Sequence, residues 1–134
     1  MENVNFGKNT FCGPSVISAI AGINTDESEA VLKSVIGSNR PIKGVYTADL
    51  KKAFIKLDYE IEDIRLIGRS LFSCLFQLKQ DGYYIFMVPG HFIAIEVNGN
   101  HKYICDNHTK SPINVSNSSR LGQKVDSCFK VVKK

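Results

Sequence analysis

Cys12 lies in Asn9-Thr10-Phe11-Cys12-Gly13-Pro14 and is followed by Ser15-Val16-Ile17-Ser18-Ala19-Ile20-Ala21, so its thiol stands where a loop becomes an apolar helix. Backbone N–H groups at a helix start have no intrahelical acceptor, and the helix dipole is positive there. A thiolate is favoured in that setting, and a lowered pKa is what a cysteine nucleophile requires. A thiol that attacks a carbonyl also needs an imidazole to take its proton and return it to the leaving group. His91 meets that need: it follows Pro89-Gly90, which exposes it at a strand start, and precedes Phe92-Ile93-Ala94-Ile95, which holds its backbone rigid. Without Cys12, the same histidine would read as a strand end satisfied by local hydrogen bonds.

The imidazole in turn needs an acceptor that fixes its tautomer and orientation. If the strand from His91 turns back through Asn98-Gly99-Asn100, cross-strand partners have numbers summing to about 197 to 199. That register brings Asp106, Asn107 and His108 into range of His91. Adjacent strand residues point to opposite faces, so only one of Asp106 and Asn107 can share a face with the histidine. Stabilising the oxyanion calls for a backbone N–H and a side-chain amide near the nucleophile, and Asn9 and Asn5 lie just upstream of Cys12. Both are also ordinary loop residues. A rival cluster, His101, Cys105 and His108, offers three metal-capable side chains. Its spacing matches no standard zinc pattern, and the expected alternative is a buried thiol with exposed histidines.

The elements that must position these groups divide the chain in two. Pro14 and Gly22 bracket a helix over about 13–21 with Val16, Ile17 and Ile20 on one face. Thr25 and Asp26 cap a second helix that stops at Gly37, and Thr47 caps a third through Leu57. Tyr59-Glu60-Ile61-Glu62 alternates like an exposed strand, and Leu71, Cys74, Leu75 and Leu78 predict a helix over 70–80. Strands follow at 83–88, 91–97, 102–105 and 128–132, while 107–122, rich in Ser, Asn and Lys, reads as an irregular surface segment. Helices followed by antiparallel strands predict an α+β domain, the N-terminal helices packed on one face of a C-terminal sheet.

With 134 residues and 43% hydrophobic content, residues 1–134 suit a single domain with its own core. The net charge of +4, with Lys130, Lys133 and Lys134 in a basic tail, fits a solvated surface and gives no argument for nucleic acid. The N-terminus has no signal-peptide pattern and no segment approaches a membrane span, which predicts a cytoplasmic protein. Its four cysteines, at 12, 74, 105 and 128, show no short paired spacing and are expected to be reduced.

The Asn9-to-Pro14 segment leading into a helix, Pro89-Gly90-His91-Phe92-Ile93-Ala94-Ile95, and Tyr103-Ile104-Cys105-Asp106 together resemble the papain-like cysteine peptidase superfamily. The likeness is to its small bacterial and phage members, similar to the peptidase domains that trim bacteriocin leaders, and it spans about residues 5 to 107. It implies Cys12 as nucleophile, His91 as base and Asp106 as the residue that orients the base. A carboxylate there also stabilises an imidazolium more than an amide can. One position departs from the pattern: a glutamine about six residues before the cysteine commonly serves the oxyanion, and here that residue is Phe6. The implied activity is hydrolysis of a peptide or isopeptide bond through a thioester. A glutamine deamidase, an acyl transferase or a non-catalytic peptide-binding relative would use the same scaffold. No organic cofactor is implied; the expected partner is a peptide or protein substrate, which a larger complex could present.

Overall fold

The computed structural model describes residues 1–134 and has four α-helices, six strands and one 3-10 turn. Helix α1 (Cys12–Ala21) is buried continuously from Gly13 to Ile20, more deeply than a one-faced amphipathic helix would be. The N-terminal arm covers part of its remaining surface, through Glu2 N–H to the Ala19 carbonyl and Asn5 N–H to Ser18 Oγ. Helix α2 (Thr25–Ile36) packs against α1, and α3 (Thr47–Lys56) packs against α2. Gly22 and Gly37 close α1 and α2 in the left-handed conformation that favours glycine, as their positions predict. The caps differ in detail. Asn24, one residue before Thr25, accepts the Asp26 N–H, and α3 has no side-chain cap at all.

The sheet is antiparallel throughout. With β1 (Tyr59–Ile64), β2 (Gly82–Val88), β3 (His91–Asn98), β4 (His101–Cys105), β5 (Ile113–Asn114) and β6 (Ser127–Lys133), its order is β1-β6-β2-β3-β4-β5. The β3–β4 hairpin pairs Asn98 with His101 and Ala94 with Cys105, a register inside the range predicted from the Asn-Gly turn.

Alternation along the strands sends side chains to two covered faces. Ile85, Phe92, Ala94, Phe129 and Val131 point to the face packed by α1, α2 and α3. Tyr84, Phe86, Val88, Ile93, Ile95, Ile104 and Cys128 point to the other, where Leu71, Cys74, Leu75 and Leu78 meet them. The helix expected over 70–80 is only α4 (Leu71–Leu75), because the following residues leave helical geometry once Leu75 and Leu78 have reached the core. The segment read as an irregular surface loop, 107–122, is irregular beyond β5 and one 3-10 turn, but it is corrected as surface: Ile113, Val115 and Leu121 pack on this second face. Leu71 and Phe72 N–H donate to the Gln123 and Leu121 carbonyls at 2.8 and 2.9 Å, so the segment straps α4 to the sheet.

Candidate active site

At the start of α1, orphan donors concentrate on the thiol. Ser15 N–H reaches back to the Phe11 carbonyl, and Pro14 has no N–H. The N–H groups left without an i−4 partner by their place in the first turn are therefore those of Cys12 and Gly13. Gly13 lets the turn approach Val45 closely, since a Cβ there would stand 2.9 Å from Val45 Cγ2 and one of the two would have to shift. Val45, with Gly44 and Tyr46, lines an open hollow of about 350 Å³ beside this turn.

The loop that delivers Cys12 is fixed from several sides. Asp26 Oδ1 accepts the Lys8 and Asn9 N–H groups, Asn9 Oδ1 accepts the Phe11 N–H at 2.9 Å, and Asn107 Nδ2 donates to the Thr10 carbonyl at 3.1 Å. Asn9 Nδ2 spends both hydrogens on Glu29 and on the Ile42 carbonyl. The expectation that Asn9 supplies an oxyanion donor is thus corrected: its amide is consumed in tying the loop to α2 and to the chain before α3. Asn5 is also turned elsewhere, with its Oδ1 against Asn24.

His91 begins β3, opposite Val88. Asp106 follows the last residue of β4, and the β3–β4 register extended by one step would set it opposite Ile93, on the sheet face that His91 shares. His91 Nε2 and Asp106 Oδ2 are 3.0 Å apart. An ionised carboxylate only accepts, so Nε2 carries the proton and Nδ1 is the nitrogen left to face Cys12. Burial alone would lower the His91 pKa; hydrogen bonds to Asp106 and Cys12 outweigh it and raise it to about 8. Burial likewise would raise the Cys12 pKa, but hydrogen bonds from His91 and the Phe92 and Gly13 backbone bring it below its ordinary value. The two shifts have the signs that favour proton transfer from thiol to imidazole.

Asp106 is fully buried and remains ionised. Burial opposes its charge, yet hydrogen bonds from His91, Thr109 and His108 and the charge of Arg120 hold its pKa far below the usual carboxylate range. Its Oδ1 accepts the His108 and Thr109 N–H groups at 2.8 and 2.9 Å, and its own N–H donates to Thr109 Oγ1. Two further side chains adjoin this pair. His108 lies against His91 with ring centroids 5.4 Å apart, and Arg120 Nε stands 2.9 Å from Asp106 Oδ2. Hairpin spacing placed His108 within range of His91; nothing local marks Arg120.

The three side chains of the rival metal cluster do not converge. His101 stacks on Tyr103, His108 faces His91, and Cys105 is buried with Val4 and Ala19, its thiol pKa pushed up to about 11 by burial. Cys74 and Cys128 are also buried, with raised pKa values, so Cys12 is the one thiol shifted toward ionisation.

No protein-family model matches the chain, and no curated protein matches it in sequence. No helix is long and apolar enough to cross a membrane. The structure is similar to the crystal structure of the peptidase domain of Streptococcus ComA, described as a bi-functional ABC transporter involved in a quorum sensing pathway, with a TM-score of 0.63. The similarity covers 99% of this chain and 98% of that one at 17% sequence identity. At that identity the likeness is one of fold: the chain has the papain-like peptidase-domain fold.

Proposed function

We propose that this protein is a cysteine peptidase that cleaves a peptide or isopeptide bond through Cys12, His91 and Asp106. The observation that carries the reading is a thiol at a helix start whose ionisation His91 favours, beside an imidazole whose Nε2 lies 3.0 Å from a fully buried carboxylate. The Cys12 thiolate adds to the carbonyl carbon, and its proton resides on His91 Nδ1. That proton passes to the departing amine as the C–N bond breaks, leaving an acyl thioester on Sγ. Water then attacks the thioester with His91 as base, and the acid and free thiol are released. Asp106 holds the imidazole in the tautomer the exchange needs. The Cys12 backbone N–H is the oxyanion donor, because the upstream position is Phe6 and the Asn9 amide is already used. The hollow beside Gly13, framed by Val45 and Tyr46, takes a substrate side chain.

A peptide library from a digested proteome, incubated with the protein and read by mass spectrometry, tests the reading. Wild type should generate new termini within a shared sequence context, and Cys12→Ala should generate none. A library left intact by wild type, or cleaved equally by both, contradicts it. Glutamine mass shifts without chain cleavage would move the assignment to a deamidase.

A further inference from the structure

Asp106 Oδ2 is shared. His91 Nε2 stands 3.0 Å from it and Arg120 Nε 2.9 Å, with the Arg120 side chain 17% exposed and the Asp106 side chain completely buried. A third-residue carboxylate needs one imidazole as partner, so a second cation on the same oxygen is more than orientation requires. Arg120 does not reach the site from a neighbouring strand. It sits on the strap across the second sheet face, held by its N–H to Ser118 Oγ at 3.1 Å, by its Nη1 to Gln123 Oε1 at 3.2 Å and by Gln123 N–H to its carbonyl at 2.9 Å. Gln123 in turn accepts from Leu71 at the start of α4. The guanidinium is therefore fixed through a chain of contacts independent of Cys12 and β3.

We propose that Arg120 is a positioning residue of the active site, which clamps the carboxylate oxygen that His91 also uses and limits how firmly Asp106 grips the imidazole. The inference rests on Cys12 and His91 acting as a pair. A carboxylate buried without a second cation would hold the imidazolium more tightly and make its proton harder to pass to a leaving group. Arg120 offsets that grip while keeping Asp106 ionised. The titratable and charged groups around His91 are Cys12 from α1, Asp106 after β4, His108 from the next turn and Arg120 from the strap. Of these, Cys12 and Asp106 raise the His91 pKa and Arg120 lowers it.

The signs make the test direct. The His91 imidazole is titrated by NMR in the whole protein, with His101, stacked on Tyr103, as internal reference. Cys12→Ala should lower the His91 midpoint from about 8. Arg120→Gln should raise it by roughly half a unit or more, and Arg120→Lys, which keeps the charge, should leave it near the wild-type value. A midpoint unmoved or lowered in Arg120→Gln, while Cys12→Ala still lowers it, overturns the role of Arg120 and leaves the catalytic pair standing. A midpoint indifferent to Cys12→Ala removes the pair itself. Should Arg120→Gln not fold because Asp106 loses its cation, Gln123→Ala decides: it removes the acceptor of Arg120 Nη1 and loosens the clamp while both charges stay. The His91 midpoint should then rise above the wild-type value, and no rise overturns the proposal.

Discussion

Cys12 reaches the site on a helix buried from Gly13 to Ile20, whereas Asp106, from the other face of the same sheet, is held by a turn of three residues and an irregular strap. The helix positions its thiol through repetition: hydrogen bonds and apolar contacts at regular spacing fix the axis, and the first turn inherits that rigidity. The strap has almost no regular structure beyond the two residues of β5 and one 3-10 turn, and it works through particular contacts at Ser118, Arg120, Leu121 and Gln123. His91, at the start of β3, joins the two faces. Regular elements thus deliver the nucleophile, and long-range polar contacts deliver the group that tunes the base.

The comparison breaks most severely at Asp106. Asp106→Ala should lower kcat/KM on the order of a hundredfold or more by loss of the oriented tautomer. It should also destabilise the fold by about 1–3 kcal/mol, because the His108 and Thr109 N–H groups and Arg120 lose their acceptor. Rate assays and denaturant unfolding measure the two losses separately. A rate loss with unchanged stability would mean the turn does not depend on the carboxylate.

The pH dependence sharpens the account. The His91 pKa is about 8 in the folded protein against an ordinary value of 6.5. A group with a raised folded pKa contributes stability that is fully present below its unfolded pKa and lost as pH rises through the folded one. The melting-temperature gap between wild type and His91→Asn should therefore be widest below pH 6.5 and narrow as pH passes about 8. The alkaline limb of kcat/KM should fall in the same region, where the imidazolium loses its proton. A gap that widens with pH would reverse the sign of the coupling.

Asn107 should have the smallest effect. Its amide braces the Thr10 carbonyl and makes no contact with the imidazole, so Asn107→Ala should cost a few-fold in rate, on the order of one hydrogen bond at a loop. A loss as large as that of Asp106→Ala would give the orienting role to the amide.

How much was legible in the sequence follows the same division. Helices α1 and α2 were readable because Gly22 and Gly37 stop them and because their apolar residues recur with helical period. The β3–β4 hairpin was readable because Asn-Gly sets a turn and a turn sets a register, which brought Asp106 within reach of His91. Asn9 was visible but its role was not: an amide before a nucleophile fits an oxyanion site, and only the fold brings Glu29 and the Ile42 carbonyl to it. The run from Leu71 to Leu78 has helical spacing, yet α4 ends at Leu75. Arg120 was invisible, since an arginine among serines and asparagines reads as surface until the strap folds over β4.

Alkylation of Cys12 by iodoacetamide, followed by mass spectrometry across pH in wild type and in His91→Ala, tests the central claim that the thiol and imidazole share a proton. In wild type Cys12 should react far faster than Cys74, Cys105 and Cys128 near neutral pH, with an ionisation midpoint below the ordinary thiol value. In His91→Ala that midpoint should rise, because the imidazole that stabilises the thiolate is gone. An unchanged midpoint in His91→Ala, or a wild-type Cys12 no more reactive than the three buried thiols, would contradict the account.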